Sequence, residues 1–432
     1  MAIWPATTAR DDDGVLHIGG VPVTDLAEEF GTPLWVVDEE DLRARCRAWR
    51  AAFPDADVAY ASKAWPVVGI LQIVTQEGLW VDVASAGELH TALVAAVPPE
   101  RIVFHGNNKS VEELHMAAEA GVGRVVVDSF EELDRLAALG RAMQRTIDIL
   151  LRVTPGIEAH THEYVRTGHD DSKFGFTMST GLADQAYDRA RDLEHVNVLG
   201  VHAHIGSQVF DTEPFEAAAE ALVGLLGRWR DRHGTTLAEC NLGGGMGIAY
   251  GRDDDPPALD ELAARVGDAI DRACDAIDLP RPRLALEPGR AIVGPTTVTL
   301  YRVGTVKRLP GLTTWVSVDG GMSDNIRPAL YDATHEVALA NRPGAVDGQA
   351  VTVVGKHCES GDVLAADVEL PTDLRAGDLL AFASTGAYNA AMASNYNRLP
   401  RPAAVLVVDG QSRTLVRRET LDDLVARDVP LA

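Results

Sequence analysis

The amino-acid sequence predicts an α/β protein, with a (β/α)8 TIM-type barrel followed by a C-terminal, mostly antiparallel β domain of barrel or sandwich form. Two observations support this prediction. Short apolar runs alternate with longer amphipathic segments through the middle of the chain, and after Pro288 β-rich runs separated by Gly and Pro replace the helical patterns. A doubly wound open sheet is the structural alternative to the barrel, because periodicity alone does not distinguish the two.

Eight strand-like runs account for the predicted barrel. They are VAYAS (58–62), WVDVAS (80–85), RIVFHG (101–106), RVVVDS (124–129), ILLRV (149–153), GVHAHIG (200–206), CNLGGG (240–245) and LALEPG (284–289). The segments between them carry apolar residues at three- and four-residue spacing, as amphipathic helices do. Ser110 and Ser129 each precede a Glu by three residues, which is the capping-box arrangement of a helix start.

The runs outside the barrel define the rest of the chain. β-rich stretches such as TTVTLYRVGTVKRL, TTWVSVDGG and AAVLVVDG follow the barrel. The N-terminal GVLHIGGVPV is similar to them, so we expect it to join the second domain in space. The predicted division assigns residues 1–35 to N-terminal strands that join the β domain, 36–285 to the barrel and 286–432 to the β domain.

The composition argues against several classes of function. A net charge of −25 disfavours binding to nucleic acid or to an anionic membrane surface. No apolar run is long enough to cross a bilayer, and the first residues lack the basic and apolar regions of a signal peptide. Four cysteines without close spacing do not suggest a disulfide framework. We expect a cytoplasmic protein with reduced cysteines that binds neither nucleic acid nor membranes.

Lys63 is the most informative residue of the predicted barrel. Lysine is scarce, since five of the 39 basic residues are lysine, and this one follows the first barrel strand. A desolvated lysine can lose its proton and form a Schiff base, which an arginine cannot do. A solvated surface lysine is the alternative interpretation, and the stretch alone does not decide between them.

Polar residues and glycines also end the other predicted strands, and the carboxyl ends of barrel strands meet on one face. They are Asp82, Ser85, His105, Asp128, Arg152, His204, Ser207, Gly243 to Gly245 and Glu287 to Arg290. Each type of residue also has a purely structural interpretation. Asp128 can begin a helix, His204 can be a core histidine, and the glycines can form a tight turn. The glycine run comes too late in the sheet for a dinucleotide fold, but its N–H groups suit a phosphate.

Together these groups fit a cofactor that has an aldehyde, a ring and a phosphate. Lys63 would react with the aldehyde, His204 would lie against the ring, and the glycines would hold the phosphate. Glu287 would face a protonated pyridine nitrogen, and such a pyridinium is an electron sink for a carbanion. The sequence therefore predicts pyridoxal 5′-phosphate as the cofactor of the barrel domain, and no metal.

The chain resembles the fold-type III pyridoxal-phosphate-dependent decarboxylases, and within them the branch that acts on diaminopimelate. The matching stretches run over most of the chain in the order of the family. They are YASKA (60–64), HGNNKS (105–110), HTHEYVRTGHDDSKFGF (160–176), HAHIGSQ (202–208), NLGGGMGI (241–248), EPGR (287–290), DGGMSDNIRPALY (319–331), GKHCESGD (355–362) and GAYNAAMASNYN (386–397). CESGD, GAY and RPALY indicate the diaminopimelate branch.

The resemblance implies a role for each matched residue. Lys63 would hold the cofactor covalently and, with Cys358 as proton donor, would be catalytic. The predicted cofactor-binding residues are Lys63, Asp82, His204, Ser207, Gly244, Gly245, Glu287, Gly289, Arg290 and Tyr388. The predicted substrate-binding residues are Arg290, Arg327, Tyr331, Glu359 and Tyr388.

The implied reaction is the decarboxylation of meso-2,6-diaminopimelate to L-lysine and CO2, the last step of lysine biosynthesis. Two arginines with a tyrosine, and one glutamate, match in sign the distal carboxylate and the distal ammonium of that substrate. In this family Cys358 and Glu359 would reach the site of the other subunit, so the resemblance also implies a homodimer with shared active sites.

Other functions remain open at this point. A decarboxylase of the same fold could act on another diamino acid or on a carrier-bound amino acid. An amino-acid racemase of the barrel-plus-β type, or a cofactor-binding protein without catalysis, is a further alternative, although CESGD and GAY argue against a racemase. Trp65 and Asp332 replace the smaller residue and the glycine that are usual in the family, which leaves the fine substrate preference open.

Overall fold

The computed structural model describes residues 3–157 and 173–431. Of the stretch HTHEYVRTGHDDSKFGF, residues 160–172 therefore lie outside the described residues. The chain divides into two compact units. We call Arg45–Gly247 with Pro256–Ala291 the barrel unit, and Met1–Ala44 with Ile248–Asp255 and Ile292–Ala432 the β unit.

These units differ in detail from the predicted division at 35/36 and 285/286. The chain passes between the units at 44/45 and 291/292, and residues 248–255, which the sequence analysis placed in the barrel, belong to the β unit.

The N-terminal segment supplies elements to the β unit. Its elements are β1 (Ala9–Arg10), β2 (Leu16–Ile18), β3 (Val21–Pro22), α1 (Val23–Glu29), β4 (Leu34–Asp38) and the first part of α2 (Glu39–Ala52), within which the chain passes to the barrel unit. β1, β2 and β3 form a small antiparallel sheet. Every residue of β4 is buried, as its nearly unbroken apolar sequence LWVVD suggests.

The barrel unit alternates strands and helices. The strands are β5 (Asp57–Ala61), β6 (Trp80–Val83), β7 (Ile102–Phe104), β8 (Arg124–Val127), β9 (Ile147–Thr154), β10 (Phe176–Thr177), β11 (Val196–His202), β12 (Glu239–Asn241) and β13 (Arg283–Leu286). The helices are α3 (Val68–Gln76), α4 (Ala86–Val94), α5 (Val111–Ala120), α6 (Phe130–Met143), α7 (Leu182–Arg191), α8 (Glu213–His233) and α9 (Leu259–Ala276).

Eight of these strands close into a parallel barrel in the order β5-β6-β7-β8-β9-β11-β12-β13, and β13 pairs back onto β5. The two-residue strand β10 lies parallel to β9 outside this ring. Each of the eight predicted runs overlaps one barrel strand, so the predicted TIM-type barrel is confirmed. Nearly continuous apolar strands bury both faces in this arrangement, which explains why the runs were recognisable.

The two predicted capping boxes differ in the structure. Ser110 begins α5 with the complete reciprocal pair to Glu113. Ser129 accepts a hydrogen bond from the backbone N–H of Glu132 at the start of α6. The Glu132 side chain, however, binds the ammonium of Lys109 at 2.7 Å instead of completing the box, because both groups are buried and a buried charge needs a partner. The prediction of a second capping box is therefore wrong in that half.

The C-terminal segment completes the β unit. After the short helix α10 (Arg290–Val293), within which the chain leaves the barrel unit, its elements are β14 (Thr297–Arg308), β15 (Thr314–Val318), α11 (Arg327–Tyr331), β16 (Val337–Leu339), β17 (Gly348–Val354), β18 (Val363–Pro371), β19 (Leu379–Phe382), β20 (Ala403–Val408), β21 (Gln411–Val416) and α12 (Leu421–Val425). The sheet order is β18-β17-β15-β14-β4-β20-β21, with β19 joining β14 to β16. Most pairs are antiparallel, as predicted, and β4 pairs with β14 and β20. Among the described residues, no helix is both long and apolar enough to cross a membrane.

Candidate active site

The carboxyl ends of the barrel strands carry the predicted cofactor-binding side chains. Lys63 lies just beyond β5, in the short 3-10 turn Ser62–Ala64, and its side chain is exposed. Asp82, on the neighbouring strand β6, is buried and accepts a hydrogen bond from the backbone N–H of Ser62 at 3.1 Å. Burial raises the pKa of Asp82 well above its usual range, and the positive charge of Lys63 opposes this rise. An accessible amine therefore stands close to a buried carboxyl group.

Glu287 follows β13 and lies at the centre of a buried hydrogen-bond cluster. His105 Nε2 is 2.8 Å from Glu287 Oε1, and Asn241 Nδ2 donates to the same oxygen at 2.8 Å. His202 Nε2 is 3.1 Å from Glu287 Oε2. His202 and Asn241 are register partners at the ends of β11 and β12, so neighbouring barrel strands bring the donors together. We call these four residues the Glu287 cluster.

The charges in the Glu287 cluster follow from burial and hydrogen bonding. Burial lowers the pKa of His202 to about 4 and also lowers the pKa of His105. Burial alone would raise the pKa of Glu287, but the two histidines and their hydrogen bonds lower it well below its usual range. Both histidines are therefore neutral at pH 7 and donate Nε2–H to an ionised carboxylate. A carboxylate has about four acceptor positions, so three donors leave one position on Oε2 for a ligand.

The glycines beside Glu287 are required by space. A Cβ on Gly244 would lie 2.1 Å from the carbonyl oxygen of Glu287, and a Cβ on Gly289 would lie 2.8 Å from the Cβ of Ala61, two residues before Lys63. Gly245 has φ +123°, a conformation that side-chain-bearing residues rarely adopt. The ends of the last barrel strands therefore approach one another more closely than any side chain would allow.

A polar group of side chains lies next to these glycines. Arg290 Nη2 donates a hydrogen bond to Ser207 Oγ at 2.9 Å. The backbone N–H of Gly244 donates to Nδ1 of His204 at 3.3 Å, which orients the imidazole ring. Burial, followed by the charge of Lys63, lowers the pKa of His204 well below its usual range. A neutral ring, a hydroxyl and a guanidinium beside a glycine-lined backbone are the chemistry that a phosphorylated aromatic ligand needs.

Lys109 provides a contrast to Lys63. Its ammonium is buried and donates to the carbonyl oxygens of Gly106 and Val126 and to Glu132, each at 2.7 Å. All three of its donors are used inside the barrel wall, so Lys109 has a structural role. Of the two lysines, only Lys63 has a side chain that solvent or a ligand can reach.

The Glu287 cluster also contains residue types that bind metals, because ligand atoms of His105, His202 and Glu287 lie within 4.8 Å of one another. Their facing atoms already form hydrogen bonds with each other, and the charges of Arg152 and Lys63 act on His105 in the direction that repels a cation. An organic cofactor whose ring carries an N–H donor suits the remaining acceptor position better than an ion does.

The predicted distal-group residues Arg327 and Tyr331 lie in the β unit, at the two ends of α11. The buried guanidinium of Arg327 lies over the ring of Tyr250 at 4.3 Å. Asp332 follows with φ +50°, in the left-handed region that glycine adopts without strain. Asp332 therefore adopts a backbone conformation that a glycine, the residue of the family pattern at this position, would adopt more easily.

Cys358 and Glu359 lie on an exposed turn between β17 and β18 in the β unit. The backbone N–H of Cys358 donates to Oδ1 of Asn397 at 2.8 Å. Among the described residues, Glu359 Oε1 accepts a contact from the hydroxyl of Ser360 at 3.4 Å and one from the backbone N–H of Gly361 at 3.2 Å. Both side chains are thus presented outward from their own chain.

Tyr388 and Trp65 complete the predicted residues. Tyr388, in the GAYNAAMASNYN stretch of the β unit, is half-buried and has φ +61°. Trp65 is 2% exposed, and its carbonyl oxygen accepts a hydrogen bond from the hydroxyl of Tyr60 at 3.3 Å. The larger residue that replaces the usual smaller one at position 65 is therefore a packed side chain of the barrel unit.

Sequence reasoning did not assign His202 and Asn241 to the site. Both end apolar strands, and a polar residue in a strand that is buried on both faces is the signal that could have revealed them. His105 was recognised as a strand-end residue, but its contact with Glu287 spans 182 positions and has no local signature.

Comparison with known proteins agrees with this geometry. Residues 39–294 match the family model described as pyridoxal-dependent decarboxylase, pyridoxal binding domain. The chain is 48% identical to the diaminopimelate decarboxylase of Mycobacterium tuberculosis, with 99% of this chain and 98% of the relative covered. It is 48% identical to that of Bacillus subtilis, with 98% and 97% covered.

A solved structure is similar over the whole length. The diaminopimelate decarboxylase of M. jannaschii in complex with L-lysine matches with a TM-score of 0.93 and 35% identity, and covers 100% of this chain and 99% of that one. The similarity thus covers residues of both units.

Proposed function

Because this chain belongs to the pyridoxal-dependent decarboxylases, we propose that it converts meso-2,6-diaminopimelate to L-lysine and CO2 with pyridoxal 5′-phosphate as cofactor. The observation that carries the proposal is the ionised Glu287 carboxylate, which is held by three N–H donors and keeps one acceptor position. A protonated pyridine nitrogen is a donor of the right charge for that position.

The barrel residues fit the parts of the cofactor. Lys63 would hold it covalently, with Asp82 as the buried counter-charge near that amine. His204 would lie against the ring. Ser207, Gly244, Gly245, Gly289 and Arg290 would hold the phosphate, since they offer hydroxyl, guanidinium and backbone N–H donors around strand ends that have no room for side chains. When bound, the cofactor supplies an electron sink for the pair that a departing CO2 leaves behind.

The chain's own residues would then direct that chemistry. Glu287 would hold the proton on the ring nitrogen, because its own pKa lies well below its usual range and the carboxylate stays ionised. The neutral histidines of the Glu287 cluster do not compete for this role, since they donate to the carboxylate and carry no charge. The buried surroundings strengthen the ion pair relative to water.

Residues of the β unit, together with Arg290 of the barrel unit, would select the substrate. We propose that Arg327, Arg290 and Tyr331 bind the distal carboxylate, that Glu359 pairs with the distal ammonium, and that Tyr388 lies beside cofactor and substrate. A substrate without the distal carboxylate would leave a buried guanidinium without its ligand, which typically costs on the order of 100-fold or more in kcat/KM. Cys358 would donate the proton to the carbon from which CO2 departs.

We propose that the active form is a homodimer in the cytoplasm, with Cys358 and Glu359 contributed to the site of the other subunit. The exposure of both side chains on one turn supports their contribution to the site of another subunit. None of the four cysteines forms a disulfide, which supports a reducing compartment. We also propose that the barrel domain binds the cofactor and that the N-terminal strands join the second, β domain.

The purified protein, supplied with pyridoxal phosphate, should be assayed separately on meso-diaminopimelate, lysine and ornithine, with CO2 and amino-acid product measured together. We expect CO2 and lysine in equal amounts from meso-diaminopimelate, and little turnover of the other two. Turnover of ornithine alone would instead indicate a relative that acts on another diamino acid. Inversion of an amino acid without CO2 would indicate a racemase.

A further inference from the structure

One buried carboxylate joins two segments of the β unit that carry proposed active-site residues. We call residues 320–327 the arginine segment and residues 355–362 the thiol segment. Asp362, which is 3% exposed, accepts a hydrogen bond on Oδ1 from the backbone N–H of Met322 at 2.6 Å. On Oδ2 it accepts from the backbone N–H of His357 at 2.9 Å and from His357 Nδ1 at 2.8 Å. One side chain therefore holds backbone groups from both segments.

The surrounding backbone makes the same connection. The N–H of Lys356 donates to the carbonyl oxygen of Gly320 at 3.0 Å, and the N–H of Gly355 donates to the carbonyl oxygen of Asp362 at 3.0 Å. A Cβ on Gly355 would lie 2.2 Å from Asp362 Oδ2, and a Cβ on Gly321 would lie 2.6 Å from Asp362 Oδ1. Both glycines are required because the segments close tightly around the carboxylate.

The position of His357 is fixed from its other side. Its ring stacks on Tyr396 at 5.6 Å with an angle of 8° between the planes. The next residue, Cys358, has its backbone N–H bound by Asn397. The thiol segment is thus held between Asp362 and the 396–397 stretch, while the Cys358 side chain stays exposed.

The arginine segment is held in a similar way. Asp324 accepts a hydrogen bond from the hydroxyl of Tyr301 and, on Oδ2, from the N–H of Gly321 at 2.9 Å. The N–H of Asn325 donates to the carbonyl oxygen of Gly321 at 3.0 Å, two residues before Arg327 begins α11. The Met322 contact of Asp362 therefore acts on a turn that has little freedom to adjust by itself.

We propose that Asp362 is a positioning residue for the reaction: its carboxylate joins the thiol segment to the arginine segment and so fixes how each segment presents its active-site residue, Cys358 or Arg327, to the site that it serves. The functional meaning of this inference rests on the proposed roles of Cys358 and Arg327. The alternative is that Asp362 stabilises the β unit only in a general way, and the two cases predict different measurements.

The test uses the holoenzyme with Asp362→Asn. The amide has the same shape, but its NH2 group must face an N–H donor on one side. The connection that the side chain makes between the two segments, which we call the Asp362 bridge, therefore loses its hydrogen bonds to one segment. Because a hydrogen bond to an ionised acceptor is involved, we expect kcat/KM for meso-diaminopimelate to fall by on the order of 10- to 100-fold, with a lower kcat and a higher KM. General destabilisation would lower the amount of active enzyme and leave KM unchanged.

Cys358 provides a second readout that does not depend on catalysis. The other three cysteines are buried, so a thiol reagent should modify Cys358 first, and Cys358→Ser should remove that fast phase. We expect Asp362→Asn to raise the rate constant of this modification by about tenfold, since the released turn samples more conformations. If the protein decarboxylates another substrate, the thiol result still tests the bridge by itself.

Asp378→Asn is the matched control, because Asp378 is also a buried carboxylate of the β unit that binds a backbone N–H, that of Arg375, and a side chain, Arg342. We expect it to leave KM and thiol reactivity at the wild-type level. His357→Phe, which keeps a ring against Tyr396 but removes the Nδ1 donor, serves if Asp362→Asn does not fold. Equal behaviour of the Asp362 and Asp378 variants, or thiol reactivity within twofold of wild type in both Asp362→Asn and His357→Phe, would overturn the proposal.

Discussion

Replacing His202 by glutamine should weaken the dependence of stability on pH. His202 is buried beside Glu287, and burial lowers its pKa from 6.5 to about 4. The histidine is therefore neutral in the folded protein at pH values at which the unfolded chain has already bound a proton. The contribution of His202 to the free energy of unfolding is fully present above pH 6.5 and is lost as the pH falls towards 4, since the unfolded state binds more protons across that interval.

The size of the effect follows from this interval. From 6.5 to about 4, at about 1.36 kcal/mol per pH unit, the contribution of His202 is equivalent to about 3 kcal/mol. The same sign holds for His105 and His204, whose pKa values burial also lowers, so the wild type should lose more than this in total. Glutamine is a close substitute, because its amide nitrogen reaches about the position of Nε2 and keeps a donor for Glu287, but it does not titrate.

Urea denaturation followed by tryptophan fluorescence, at several pH values between about 5 and 7 and at one cofactor concentration, measures this difference. The free energy of unfolding of His202→Gln should fall with decreasing pH by up to about 1.36 kcal/mol per pH unit less than that of the wild type. His115→Gln is the control, because the His115 side chain is 55% exposed on α5, and it should follow the wild type. An identical pH dependence of wild type and His202→Gln would refute the view that His202 is neutral in the folded protein.

Three further outcomes are expected. Lys63→Ala should abolish the absorbance near the visible edge that a lysine-linked cofactor gives, and a protein that keeps its colour after dialysis would contradict the assignment of Lys63. Gly244→Ala places a Cβ 2.1 Å from the Glu287 carbonyl oxygen and should weaken cofactor binding by on the order of tenfold or more in a fluorescence titration. Gly224→Ala, whose Cβ would meet no atom within 4 Å, is the control and should leave the affinity unchanged. Equal affinities of the two variants would argue against a role of Gly244 in holding the cofactor. Mixed Lys63→Ala and Cys358→Ala subunits should regain partial activity, since one hybrid site would be intact, and no recovery after confirmed subunit exchange would count against shared sites.

Much of the barrel was predictable because its strands are short, apolar and separated by helices with clear amphipathic spacing. The residues that end those strands, such as Lys63 and Glu287, were predictable for the same reason, since parallel strands deliver their ends to one face. The donors on Glu287 were not predictable in this way. His202 and Asn241 meet it only because β11, β12 and β13 are neighbours in the closed sheet, and periodicity does not contain that adjacency.

Contacts that span long stretches of sequence were also beyond local reasoning. The capping residue Ser129 was recognised, but its expected partner Glu132 is drawn to Lys109, which lies 23 positions earlier. Asp362 was visible only as the last letter of a motif, and its hydrogen bond to Met322 spans 40 positions. In each case a buried charge found a partner that the sequence order does not bring close.

The Asp362 bridge has a consequence for a dimer with shared sites. The arginine segment would serve the site of its own subunit, and the thiol segment would serve the neighbouring one. A substrate that orders the arginine segment of one subunit would therefore act, through the Asp362 carboxylate, on the proton donor Cys358 at the active site of the neighbouring subunit. Occupancy of one centre would then alter turnover at the other, and the steady-state rate would show homotropic cooperativity that Asp362→Asn removes.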